Sequence, residues 1–143
     1  MVEALHWGDR VFKREAAARC CGVHPSTLSV LVHRMDGTEI IFSERQGGAR
    51  VFSAKDIAVL RIAHELERGG QTWLTALARA DDALQAPPGP DDFLVTPADS
   101  VSHTTSWITS VAPSPSDKTL VVVPLGRLVG AVIENLKNEA VAV

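Results

Sequence analysis

The stretch Gly22-Val23-His24-Pro25-Ser26-Thr27-Leu28-Ser29-Val30-Leu31-Val32-His33-Arg34, GVHPSTLSVLVHR, decides how the chain is read. Glycine stands where one helix leaves off, and Pro25 suits the first turn of the next, where its missing N–H costs nothing. His24 takes the cap position. Leu28, Leu31 and Val32 recur at i, i+3 and i+4, giving the second helix one apolar face, and Ser26, Thr27, Ser29 and His33 lie largely off it. Upstream, the alanine-rich run from Lys13 to Cys21 predicts a first helix that Gly22 ends.

Working outward, Ile40, Ile41 and Phe42 on one side and Val51 and Phe52 on the other are strand formers flanking a polar tip, Glu44-Arg45-Gln46-Gly47-Gly48. This predicts a hairpin with arginines at its turn. Ser53 and Asp56 have the S-x-x-D spacing of a capping box and open a third helix from Ala54 to Arg68, which Gly69-Gly70 stops. A fourth helix is expected from Thr72 to Leu84, with Trp73, Leu77, Ala80 and Leu84 on one side. Helix, turn, helix, hairpin and capped helix, in that order, describe a winged helix-turn-helix.

The rest of the chain changes character. Ala86-Pro87-Pro88-Gly89-Pro90-Asp91-Asp92 begins a stretch that reads as a Pro/Ser-rich linker, residues 86–103. Beyond it, residues 104–143 predict a β-hairpin and a helix. The strands are Thr105 to Val111 and Thr119 to Val123, around an Ala112 to Asp117 turn, and the helix runs from Leu125 to Asn138. The expected fold class is mainly α with small β elements: a winged helix-turn-helix over residues 1–85, followed by a short strand-strand-helix module.

REAAARCCGVHPSTLS, then RQGGARVFSAKDIAVLRIAHELERGG, then QTWLTAL, resembles the DNA-binding region of the MerR superfamily over roughly Val11 to Leu84. The family pattern has G-V-S-P-x-T-L-R at the turn and recognition helix, and R-x-Y-S-x-x-D at the end of the wing. The resemblance implies that Thr27 sits on a recognition helix and that Arg50 touches backbone phosphate. This sequence departs from the pattern at His24, Ser29, Val30 and Leu31, and it lacks both the long coiled-coil helix and any downstream cysteine.

Composition bounds the function. Of the 143 residues, 45% are hydrophobic and 22% charged, ordinary for a globular chain able to bury a core. The longest apolar runs are far too short to cross a bilayer, and MVEALHWGDR lacks the order of a secretory signal, so a cytoplasmic protein is expected. The net charge of -3 conceals an asymmetry: residues 1–80 carry 11 Lys+Arg against 9 Asp+Glu, and residues 81–143 carry 3 against 8. The basic groups gather at the front, a weak hint of a polyanionic partner. Adjacent Cys20 and Cys21 do not suit a structural disulfide and read as small buried residues. The histidines are scattered, so neither a metal nor a cofactor is expected, and Ser106, His103 and Asp99 lack the nucleophile elbow a hydrolase would need.

The expected activity is therefore sequence-specific binding of double-stranded DNA by a transcriptional regulator, as a homo-oligomer and not as an enzyme. The alternative is a DNA-packaging protein like a phage small terminase subunit, or an excisionase-like architectural protein; a protein-docking module is a third reading. Short polar side chains at the start of a recognition helix let its backbone approach base edges in the major groove. The residues expected to meet DNA are Lys13, Arg14 and Arg19 on the first helix, Pro25, Ser26, Thr27, Ser29, His33 and Arg34 on the second, and Arg45, Gln46 and Arg50 on the wing. Oligomerisation is expected through Trp107 and the apolar face Leu125, Leu128, Val129, Val132 and Leu136 of the last helix.

Overall fold

The computed structural model describes residues 6–35, 44–46, 49–99, 106–113 and 118–139. Among the described residues five helices outweigh six short strands, so the fold is mainly α with two small antiparallel sheets. The first sheet has the order β1 (Phe12–Lys13), β3 (Ala49–Phe52), β2 (Glu44–Gln46). Between its strands the chain runs through α1 (Arg14–Cys21) and α2 (Pro25–Met35). Gly22 joins these helices at φ 82°, a left-handed conformation that glycine adopts without the clash a Cβ brings, and its N–H closes onto Ala18 O.

The hairpin differs from expectation in its register. Arg45 and Gln46, expected at the tip, lie within β2, with Arg45 opposite Arg50 and Gln46 opposite Ala49. Residues 47–48 lie outside the described residues, as do the expected strand residues Ile40, Ile41 and Phe42.

Helix α3 (Ala54–Arg68) is the centre of the molecule. Its start is the expected capping box: Ser53 Oγ accepts from Asp56 N at 2.9 Å, and Asp56 Oδ2 accepts from Ser53 N at 2.8 Å. Arg10 Nε also donates to Asp56 Oδ2, at 3.0 Å, so the buried carboxylate is balanced by a cation from the chain before β1. Ile57, Leu60, Ile62 and Leu66 are fully buried, and α3 packs on α1, on α4 (Trp73–Ala83) and on α5 (Leu125–Leu136). Thr72 caps α4 by accepting from Thr75 N, and Trp7 Nε1 donates to Leu84 O at its far end.

The stretch expected to be a linker is structured. Gly89 N donates to Asp92 Oδ2 at 2.7 Å, and Gly126 N at the start of α5 donates to Asp92 O at 2.9 Å. A Cβ on Gly126 would collide with Gly89 O and the Pro90 carbonyl, so the Gly89-Pro90 backbone lies tightly against the helix. Phe93–Pro97 then forms β4, the middle strand of the second sheet, whose order is β5 (Trp107–Thr109), β4, β6 (Leu120–Val123). The two strands expected to pair with each other thus pair instead with β4, on its opposite edges.

Among the described residues one core joins the front and the back of the chain. Leu94, Val123, Leu125, Val129, Val132 and Leu136 belong to the same buried cluster as Leu28, Ile57, Leu66 and Leu77. The α5 face expected to mediate oligomerisation is accordingly occupied within its own chain: Leu125, Val129, Val132 and Leu136 are buried, with Leu128 packed half-exposed beside them. The helix does need a partner for its apolar stripe, and α3 and α1 supply it. No helix among the described residues is long and apolar enough to cross a membrane.

Candidate nucleic-acid interface

The inward side of α2 is set by Leu28 and Val32, both buried, and the half-buried Leu31. With about 100° per residue, the opposite arc carries Ser26, Thr27, Val30, His33 and Arg34, all exposed, with half-buried Ser29 at its edge. Val30 is 50% exposed and stands at the middle of this arc. It was not among the expected contacts, although its spacing of i+4 from Ser26 would have placed it there. The sequence of α2 contains no carboxylate.

The first turn of α2 is closed from within. Ser26 N donates to His24 Nδ1 at 3.2 Å, Ser26 Oγ lies 2.7 Å from the same nitrogen, and Leu28 N donates to His24 O. His24 thus does the work that serine or aspartate does at other N-caps. Pro25 has no N–H, and among the described residues Thr27 alone keeps an uncommitted first-turn amide. The helix N-terminus therefore offers one donor to an anion, fewer than the sequence suggests.

Basic groups border the arc. Arg14 Nη1 donates to Ser29 Oγ at 3.0 Å, and Ser29 Oγ donates in turn to Pro25 O at 3.1 Å. This chain ties the guanidinium of α1 to the first turn of α2, with about half of the Arg14 side chain still exposed. Glu15 Oε1 lies 3.5 Å from Arg14 Nη2 and offsets part of its charge. Lys13 is exposed on β1, opposite Val51, and half-buried Arg50 is the next residue along β3. Arg45 and Gln46 enter through their backbone register only.

Arg19 belongs elsewhere. Five residues from Arg14, it points roughly 140° away around α1. There its Nε and Nη2 donate to Glu139 Oε1 and Oε2 at 2.9 and 2.6 Å. This bidentate hydrogen bond raises the Arg19 pKa and lowers that of Glu139. The expected first-helix set of Lys13, Arg14 and Arg19 is therefore not brought together: Arg14 alone is joined to α2, and Arg19 holds the end of the chain after α5.

Cys20 and Cys21 are both free and buried. Burial raises both thiols, Cys21 to about 11. Among the described residues no three His, Cys, Asp or Glu side chains converge as a metal site would require. No protein-family model and no curated protein matches the chain.

Proposed function

We propose that the chain is a winged helix-turn-helix protein that binds double-stranded DNA through the outward arc of α2 as a dimeric regulator, with the β2–β3 hairpin as its wing. The observation that carries this reading is the composition of that arc. Short hydroxyl side chains (Ser26, Thr27), one apolar contact (Val30) and two groups able to donate (His33, Arg34) stand on a helix without a carboxylate. Hydroxyls suit base edges, and a small apolar side chain suits the thymine methyl, so the set fits a major groove better than it fits bulk solvent. Arg14, hydrogen-bonded to Ser29, stands at the edge of the arc, and Lys13 and Arg50 on the first sheet are the further groups proposed to position phosphate. The MerR-like order of the motifs supports the same reading, and the single core shared by α1, α3 and α5 gives α2 a firm platform.

The test is a fluorescence-anisotropy titration of duplex DNA at stepped salt. Four phosphate contacts, from Lys13, Arg14, Arg34 and Arg50, give a log K against log salt slope of about -3.6 per chain. A slope near zero, or no binding at low salt, overturns the proposal.

A further inference from the structure

The outer face of the second sheet is apolar and its β5 edge overhangs the core. Direct pairs across an antiparallel ladder share a face, so Leu94, Ile108 and Val123 point one way and Val95, Trp107 and Val122 the other. Leu94 and Val123 are in the core, yet Ile108 beside them is 45% exposed. The core layer therefore stops under β4. On the other face Val95 of the middle strand is fully buried, while Phe93, Trp107 and Val122 around it are exposed, and Val111 follows just past the strand. Trp107, Ile108 and Thr109 contain no charge, proline or glycine, the devices by which edge strands are kept from pairing.

We infer that β5 pairs with β5 of a second copy across a two-fold axis, joining the two three-stranded sheets into one antiparallel sheet of six. A strand exposed on both faces gains little from a ligand on one face alone, whereas an added strand extends both layers. A second copy is the occupant that fits because the three strands, FLVTP, WIT and LVVV, carry no charged residue. A two-fold that sets each residue against its copy then meets no like-charge repulsion on this sheet, and the net charge of -3 adds little more. With Ile108 opposite the partner's Ile108, Trp107 falls opposite the partner's Thr109. The outer face then reads Val122, Val95, Trp107, the partner's Thr109 and the partner's Phe93 in one row, following the registers of each sheet. The exposed parts of Phe93, Trp107, Ile108, Val111 and Val122 amount to roughly 400 Å², taking about 150–250 Å² for a large side chain. This is half the share of a standard interface, so the dimer belongs at the micromolar end of the range.

The inference supplies the interface for the dimer in the functional reading but does not depend on DNA contact, and it is tested without DNA. Sedimentation of the full chain from about 1 to 200 µM is expected to show monomer passing to dimer, and Ile108→Lys, which sets two ammonium groups face to face, is expected to stay monomeric. Ile108→Cys supplies the second measurement. Antiparallel partners lie about 4.5–5.5 Å apart at Cα, within disulfide reach, so oxidation is expected to yield a covalent dimer faster than in Val111→Cys. Buried Cys20 and Cys21 do not compete. A wild type that is monomeric at 200 µM, an Ile108→Lys variant that still dimerises, or equal cross-linking at residues 108 and 111 overturns the pairing. DNA binding by a monomer would leave the α2 reading standing while this one fails.

Discussion

At the scale of single residues, the proposed function separates contacts that position from contacts that read. Arg50 on β3 is a proposed phosphate contact, and a phosphate contact carries no sequence information. Arg50→Ala is therefore expected to weaken binding to every duplex alike and to reduce the salt slope by about one unit. Thr27 lies on the outward arc of α2. Thr27→Ala is expected to change the ranking of sites with little change in slope, which competition among variant duplexes would show. Arg19 provides the contrast. Its guanidinium is committed to Glu139, so Arg19→Ala is expected to leave DNA affinity within twofold of wild type. A tenfold loss would mean that Arg19 leaves Glu139 for DNA. Cys21 illustrates burial acting on a titratable group. Its thiol is raised from 9.0 to about 11 mainly by desolvation, so the stability of keeping it neutral is fully present below pH 9 and is lost as pH rises through about 11. Cys21→Ala should flatten the alkaline limb of a denaturation series.

Among the elements, α5 is where sequence and structure part most usefully. Its apolar stripe was legible, because Leu125, Val129, Val132 and Leu136 keep helical spacing, but an amphipathic pattern says that a face is covered and not by what. The answer is non-local: α3 and α1. Val132→Asp is accordingly expected to unfold the chain, placing a carboxylate at a position 2% exposed at a cost of several kcal/mol, and not to yield a folded monomer. Thermal denaturation distinguishes these outcomes, and a folded, less associated mutant would contradict the packing. Helix α3 was legible to the residue because both its signals are local, the Ser53–Asp56 box and Gly69-Gly70. Strand β4 was not. Its FLVTP lies between Pro90 and Ala98 in a proline-rich stretch, and its strand character comes from partners more than ten residues away on either edge. The same gap explains why β5 and β6 were matched to each other: successive strands commonly pair, and nothing in their own residues reveals a third strand between them. The α2 arc was legible in its hydroxyls and His33. Val30 was missed although its spacing from Ser26 puts it on the arc, whereas the Arg14–Ser29 bond depends on how α1 sits against α2 and no local signal carries it.

Across the whole molecule, the front and back of the chain are bound into one core, and pH should act on the Arg19–Glu139 tie between them and on the Arg61–Glu65 pair within α3. Glu139 is held below the usual glutamate value by hydrogen bonding to Arg19, and Glu65 likewise by Arg61. Because their folded pKa values are lowered, the stability they contribute is present above the ordinary value of 4.5 and is lost as pH falls through the lowered ones. Arg19 is mostly exposed and the Arg61–Glu65 pair is half-buried at the surface of α3, so the effect is expected to be modest and reduced by salt. Glu139→Gln should remove part of the acid dependence, measured by denaturant midpoints between pH 7 and 3; an unchanged dependence would show that the Arg19 tie does not contribute. The central claim is that the outward arc of α2 is the surface that meets DNA, and Val30→Asp tests it most directly. The substitution sets a carboxylate at the middle of the arc, at an exposed position whose change leaves the core intact. The expected result is an unchanged melting temperature with at least a tenfold loss of duplex affinity at low salt, read by anisotropy beside the wild type. Wild-type affinity in a folded Val30→Asp variant would contradict the account.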